Sequence, residues 1–298
     1  MRTSRDVWRR GGEQVGVEDV LPEEAKEQAR RVARAAHPWL VRLGRFGYAA
    51  KGVVYVIIGA MAAFGAVGSE QPKDSRGALT ELLRQPFGSV LLSVVAVGLA
   101  GYALWRLTMG LKDTEQKGSD LKGLAVRFGY GCIGLVYLGL SYSAVQLVLG
   151  NGAGKGSDET SKEWTARFMA LPFGRWLVGL AGLCVIGFGA WQCYKGLSAR
   201  FRKRLMTAGM RDLAVKLATR AGQVGLTARG VVFGIVGAFL VQAALHARAH
   251  EARGLSGALR ALEQQAYGPW LLGAVALGLV VYGLYMFVEA RYRRMIID

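Results

Sequence analysis

Six stretches of this 298-residue chain lack charge over, or nearly over, the length that a helix needs to cross a bilayer, about 20 mainly apolar residues. They run Gly52–Ser69, Gln85–Trp105 and Phe128–Gly154, then between Arg175 and Lys195, from Arg229 to about Leu245, and between Glu263 and Glu289. The fifth is the shortest, and spans if Arg229 snorkels toward the headgroups. Six such runs leave too little polar surface to enclose them as the core of a water-soluble domain. Barrel strands would alternate with period two, which these stretches do not. The reading is an all-α polytopic membrane bundle, because hydrocarbon leaves no partner for unpaired backbone groups. Hydrophobic residues at 52% exclude a disordered chain, and three cysteines exclude a disulfide scaffold. The first 45 residues are highly charged and have no apolar core of a signal peptide, so the first span is expected to be a retained anchor.

Charge sets the expected orientation. Taken on alternate sides of the spans, Lys and Arg number 28 on the side of both termini and 10 on the other. The positive-inside rule then places both termini and the loops 106–127 and 195–229 in the cytoplasm. Nearly all of the formal net charge of +17 falls on that face. The expected location is a membrane with this basic rim on its cytoplasmic face, with anionic lipid as the partner of the rim.

The same two-helix unit occurs three times. RFGYAAKGVVY (Arg45–Tyr55), RFGYGCIGLVY (Arg127–Tyr137) and QVGLTARGVVF (Gln223–Phe233) align, with Gly47, Gly129 and Gly225 in register and Gly52, Gly134 and Gly230 in register. Tyr55, Tyr137 and Phe233 match as well. Pro86–Gly88 and Pro172–Gly174 form a Pro-Phe-Gly turn that Tyr267–Gly268 echoes, and Trp105, Trp191 and Tyr285 follow at matching distances. Gly77, Ala78, Leu79 and Leu82 recur as Gly257, Ala258, Leu259 and Leu262. These motifs resemble the domain of unknown function 1206 family, bacterial integral-membrane proteins built from tandem two-span repeats, over roughly residues 42 to 292. The third copy departs by carrying Leu226 where the others have Tyr48 and Tyr130. The resemblance implies fold and location, and brings neither activity nor catalytic residues.

Two spans per unit insert successive units in the same orientation, so three parallel repeats with pseudo-threefold symmetry are expected. The chain divides into a charged, partly helical cytoplasmic segment (1–41), repeat 1 (42–115), repeat 2 (116–200), a basic amphipathic connector (201–222), repeat 3 (223–292) and a tail (293–298). Gly52 with Gly59, Gly134 with Ser141, and Gly230 with Gly237 are each seven apart and read as helix-packing seams. Tyr48, Tyr130, Trp105, Trp191 and Tyr285 read as a cytoplasmic aromatic belt, and Phe87, Trp176 and Trp270 as the outer one. Tyr55 and Tyr137 lie deeper and, with Gln146, Gln192 and Gln242, are candidates for an internal polar site. Lys51, Arg106, Arg229 and Glu289 are placed at cytoplasmic span ends as interface anchors or a gate, which leaves the deep stretches free of acids and bases. Short interfacial helices are expected from Asp74 or Ser75, around Leu259 and around Trp164 and Phe168. Arg202, Lys203, Arg204, Arg211 and Lys216, set against Met206, Met210, Leu213 and Leu217, suit a basic loop lying on lipid.

Little in the sequence points to reaction chemistry. Cys132, Cys184 and Cys193 form no C-x-x-C pair, and His246 with His250 has metal-compatible i,i+4 spacing but no second matching motif. No phosphate-loop, nucleophile-elbow or zinc-protease motif occurs, so no enzyme, cofactor, metal or nucleic-acid role is expected. Two functions stand: a structural or partner-binding membrane module, or a channel or transporter for a small neutral or lipid-like solute along the pseudo-threefold axis.

Overall fold

The computed structural model describes residues 23–68, 72–112, 120–151, 157–205 and 210–293. They form nine α-helices: α1 Glu23–Ala66, α2 Ser75–Arg84, α3 Gly88–Lys112, α4 Leu121–Val148, α5 Ser157–Met169, α6 Gly174–Leu197, α7 Asp212–His246, α8 Leu255–Glu263 and α9 Gly268–Tyr292. Among the described residues, strand pairing is limited to one antiparallel bridge, Leu205 with Arg293. The chain divides into two compact units, residues 1–42 and 43–298, and the account below concerns the second. Six helices are long and apolar enough to cross a membrane.

Two span boundaries differ from the sequence reading for the same reason. The first span begins at Val41 rather than Gly52, and the fifth at Asp212 rather than beyond Arg229. Lys51 and Arg229 were used as span ends, yet each sits within a continuous helix. A charge ends a span only if water or headgroups must solvate it, and here the protein itself surrounds both side chains.

Each second helix of a repeat is introduced by a short helix and a tight turn. Asp74 caps α2 by accepting from the Gly77 amide at 2.7 Å. In repeat 3 the corresponding cap, Gly254, has no side chain, and Asp158 of α5 fills the role across the repeat boundary. Its Oδ1 accepts from the amides of Gly254 at 2.8 Å and Gly257 at 3.1 Å. Arg76 of α2 donates to Thr160 of α5 at 3.2 Å, so α5 is tied to both neighbouring short helices. Asp158→Ala should loosen the start of α8 by about 1 kcal/mol, read as faster hydrogen exchange of the Gly257 amide with α2 exchange unchanged.

The turn glycines are obligatory. A Cβ on Gly88 would lie 2.1 Å from the Leu83 carbonyl oxygen, and those on Gly174 and Gly268 1.7 Å from the oxygens of Phe168 and Glu263. Phe87 and Phe173 both adopt φ of 60°, a left-handed conformation that L residues tolerate at a cost of about 1–2 kcal/mol. Both rings point outward, as do those of Trp176 and Trp270.

Small residues set the helix neighbours. At the junction of repeats 1 and 3, a Cβ on Gly52 would meet the Gly283 oxygen at 2.8 Å, and one on Gly59 the Ala276 oxygen at 2.7 Å. At the junction of repeats 2 and 1, Gly134 faces Leu107 and the Ala103 oxygen, and Ser141 donates to the Ala96 oxygen at 2.8 Å. At the junction of repeats 3 and 2, Gly230 faces the Gly189 oxygen and Gly237 the Gly182 oxygen, each at 2.7 Å. All six seam residues read from the sequence therefore sit at contacts between repeats, with Gly52, Gly59, Gly230 and Gly237 against backbone oxygens. Gly283, Ala103 and Gly189 are themselves equivalent positions, so one contact is built three times.

Within repeats the pattern breaks. Gly47 packs on the Tyr102 backbone and Gly225 on the Tyr282 backbone, each 2.5 Å from a Cβ that would be added. The equivalent Gly129 has nothing within 4 Å among the described residues. Repeat 2 thus lacks the close contact between its own helices α4 and α6 that closes the other two repeats.

The connector differs from an interfacial helix of its own. Residues Arg200–Arg204 form a 3-10 turn, and from Asp212 the chain already belongs to α7. Phe201 turns inward, edge-on to Tyr285 with centroids 5.3 Å apart. Arg202, Arg211, Lys216, Leu213 and Leu217 are exposed, while the Lys203 and Arg204 side chains and Met206 lie outside the described residues. The same holds for most of the N-terminal segment and for residues 294–298.

Candidate functional site: a cation and tyrosine core

The interior of the bundle contains charges that the sequence reading set at span ends. Lys51, Arg229, Glu289 and Arg293 are 2%, 8%, 5% and 3% exposed. Sequence placed Lys51, Arg106, Arg229 and Glu289 at span ends as interface anchors or a gate. The structure buries Lys51, Arg229 and Glu289 in protein rather than at a solvated rim, and tyrosines supply the solvation that water would otherwise give.

Lys51 of α1 stands among four tyrosine rings, with Nζ 4.6 Å from the Tyr102 centroid, 5.1 Å from Tyr137, 5.6 Å from Tyr282 and 5.9 Å from Tyr55. Such distances allow cation–π attraction, worth about 2 kcal/mol or more when desolvated. Nζ also donates to the Tyr102 hydroxyl at 3.0 Å. Arg106 donates to the same oxygen at 2.9 Å and to the Tyr48 hydroxyl at 3.3 Å. Arg229 of α7 donates to Tyr55 and Tyr282, both at 3.0 Å. Glu289 accepts from Tyr285 at 3.2 Å and from Arg293 at 3.1 Å.

The arrangement follows the repeats. Lys51, Ile133 and Arg229 are equivalent, as are Tyr102, Phe188 and Tyr282. Each repeat junction carries one edge-to-face ring pair built from equivalent residues: Tyr102 with Tyr137 at 4.6 Å, Phe188 with Phe233 at 5.3 Å, and Tyr282 with Tyr55 at 4.8 Å. Repeats 1 and 3 place a cation on the tyrosine of their own second helix. Repeat 2 has Ile133 and Phe188 there, which removes the polar link in the repeat whose helices do not close.

Not every candidate joins this core. Tyr55 and Tyr137 are buried within it. Gln192 is buried at the position equivalent to Arg106, and its Nε2 has no partner among the described residues. Gln146 bonds locally to Tyr142 and Asn151, and Gln242 faces outward. The cytoplasmic aromatic belt is also corrected: Tyr48, Trp105 and Tyr285 are 0%, 3% and 1% exposed, whereas Trp191 is 55% exposed. Tyr102, Tyr282 and Arg293 were missed. Their signal was available in the repeats, since Tyr102 and Tyr282 occupy one register.

The sequence comparisons resolve the kinship of this architecture. Residues 46–113, 128–199 and 224–293 match the family described as Domain of Unknown Function (DUF1206). The chain belongs to the DUF1206 family. Each match covers one of the two-span units, so the family unit and the structural repeat coincide. The DUF1206 chain is 38% identical over 265 residues to "Uncharacterized protein YxxB" of Bacillus subtilis (strain 168), covering 89% of this chain and 95% of that protein. No solved structure matches it.

The remaining sequence candidates lie away from the core. α7 ends at His246 and Ala247 turns left-handed, so His246 and His250 do not share a helical face. His246 instead meets Glu251 at 2.6 Å, a hydrogen bond that holds the Glu251 carboxyl below its usual range. Among the described residues, no three His, Cys, Asp or Glu side chains are grouped to hold a metal. Cys132 and Cys184 are exposed on α4 and α6.

Proposed function

We propose that this DUF1206 chain is a non-enzymatic, partner-binding module of the bacterial cytoplasmic membrane. Both termini face the cytoplasm, and the three repeats surround a pseudo-threefold axis filled by the cation and tyrosine core. Anionic lipid neutralises the basic cytoplasmic rim, and another membrane protein docks on repeat 2. One observation carries this reading: Gly129 lacks the contact that Gly47 and Gly225 make, and Trp191 is 55% exposed where Trp105 and Tyr285 are buried. Packing between helices, rather than hydrophobicity, drives association in lipid. A small-residue position left open is therefore a prepared contact. The test is crosslinking in native membranes from a cysteine placed at Gly129 in a chain whose Cys132, Cys184 and Cys193 are changed to Ser, with Phe64 on repeat 1 as the control position. A single adduct from position 129, lost in Trp191→Ala, is expected. Identical adduct patterns from both positions would defeat the proposal.

A channel or transporter is the second reading, favoured by the buried Lys51 and Arg229, since intramembrane ionisable groups mark solute or ion paths. Against it, Gln242 lies outside the core, and Tyr55, Tyr102 and Tyr282 already accept from the cations.

A further inference from the structure

We infer that the cation and tyrosine core binds a small inorganic anion of the halide class. The observation is a charge imbalance. Lys51, Arg106 and Arg229 gather on the Tyr102, Tyr55 and Tyr282 rings, and among the described residues none of the three bonds a carboxylate. Glu289 is itself engaged by Arg293 and Tyr285. Among the described residues, every hydrogen bond of Lys51, Arg106 and Arg229 ends on a neutral acceptor: the phenol oxygens of Tyr102, Tyr48, Tyr55 and Tyr282, and the Met109 sulfur. Buried charges are ordinarily paired with an opposite charge, and phenol oxygens and ring faces offset their desolvation only in part. Two cationic donors share the Tyr102 oxygen, which sets like charges close together.

The same core is rich in donors and poor in acceptors. An ammonium has three N–H groups and a guanidinium five, and among the described residues Lys51 bonds only to Tyr102, while one terminal nitrogen of Arg229 bonds to none. The Tyr137 hydroxyl, 7% exposed as a residue, makes no hydrogen bond among the described residues. The phenols that accept from the cations retain their own protons for donation. A donor-lined, net-positive site selects an anion. Rings packed edge to face at 4.6–5.0 Å suit an ion rather than an organic acid. The assignment is independent of partner docking on repeat 2.

The experiment is thermal unfolding of the full chain in detergent, titrated with sodium chloride against sodium gluconate at equal ionic strength. The expected result is a saturable rise in midpoint with chloride alone. Half-saturation should move to at least tenfold higher chloride in Lys51→Met and at least threefold higher in Tyr137→Phe, which removes only an oxygen and so preserves the fold. Coincident chloride and gluconate curves would overturn the assignment. So would a chloride curve unchanged in Tyr137→Phe and in any folded Lys51→Met protein.

Discussion

Gly47→Leu and Gly225→Leu should each abolish folding or lower stability by at least about 3 kcal/mol, while Gly129→Leu should be nearly neutral. The three glycines hold one position of the repeat and would be indistinguishable by sequence. At Gly47 and Gly225 an added Cβ would lie 2.5 Å from backbone atoms of Tyr102 and Tyr282, which cannot rotate away. Overpacking of this kind costs about 1–3 kcal/mol even where neighbours can shift, and more where they cannot. It would also displace Tyr102 and Tyr282, the acceptors of Lys51 and Arg229. Gly129 meets nothing within 4 Å among the described residues, so a leucine there has space. Thermal midpoint and monodispersity of the three purified variants in detergent measure the difference. Equal losses at all three positions would mean that repeat 2 closes as the others do.

Glu289→Ala should destabilise the bundle by about 3–5 kcal/mol, the usual loss when one member of a buried ion pair is removed. Glu289 and Arg293 are 5% and 3% exposed, so the remaining guanidinium would be left without its carboxylate inside the protein. Arg293→Ala should be similarly harmful, because it strands the carboxylate and also removes a cation 5.0 Å from the Tyr48 ring. The double variant should lose clearly less than the sum, since neither charge is then stranded. Additive losses in a double-mutant cycle would show that the two side chains act separately. Arg293 also pairs its backbone with Leu205, so the comparison should keep the residue count and main chain intact.

The repeat pattern and the local chemistry of the helices were legible in the chain itself. Gly52, Gly134 and Gly230 could be recognised as seam residues because close helix approach in lipid requires small side chains at fixed spacing. The start of α2 could be read from Asp74, because a cap needs a short acceptor side chain beside free amides. Six apolar stretches separated by polar segments leave helices as the available solution to backbone pairing in hydrocarbon. These are local requirements, and local sequence states them.

Tertiary structure decided where the charges go. A lysine between two apolar runs reads as a span end, since sequence does not show what surrounds its ammonium. Four tyrosines from α1, α3, α4 and α9 surround Lys51, and tyrosines from α1 and α9 receive Arg229, so both cations are buried inside continuous helices. The same holds for the inequality of the repeats. Gly129 matches Gly47 and Gly225 letter for letter, yet only the packed bundle shows that its helix has no close partner there. Identity and spacing determined which residues can approach or cap. The relative placement of six helices determined which of them do, because desolvation and contact depend on every neighbour at once.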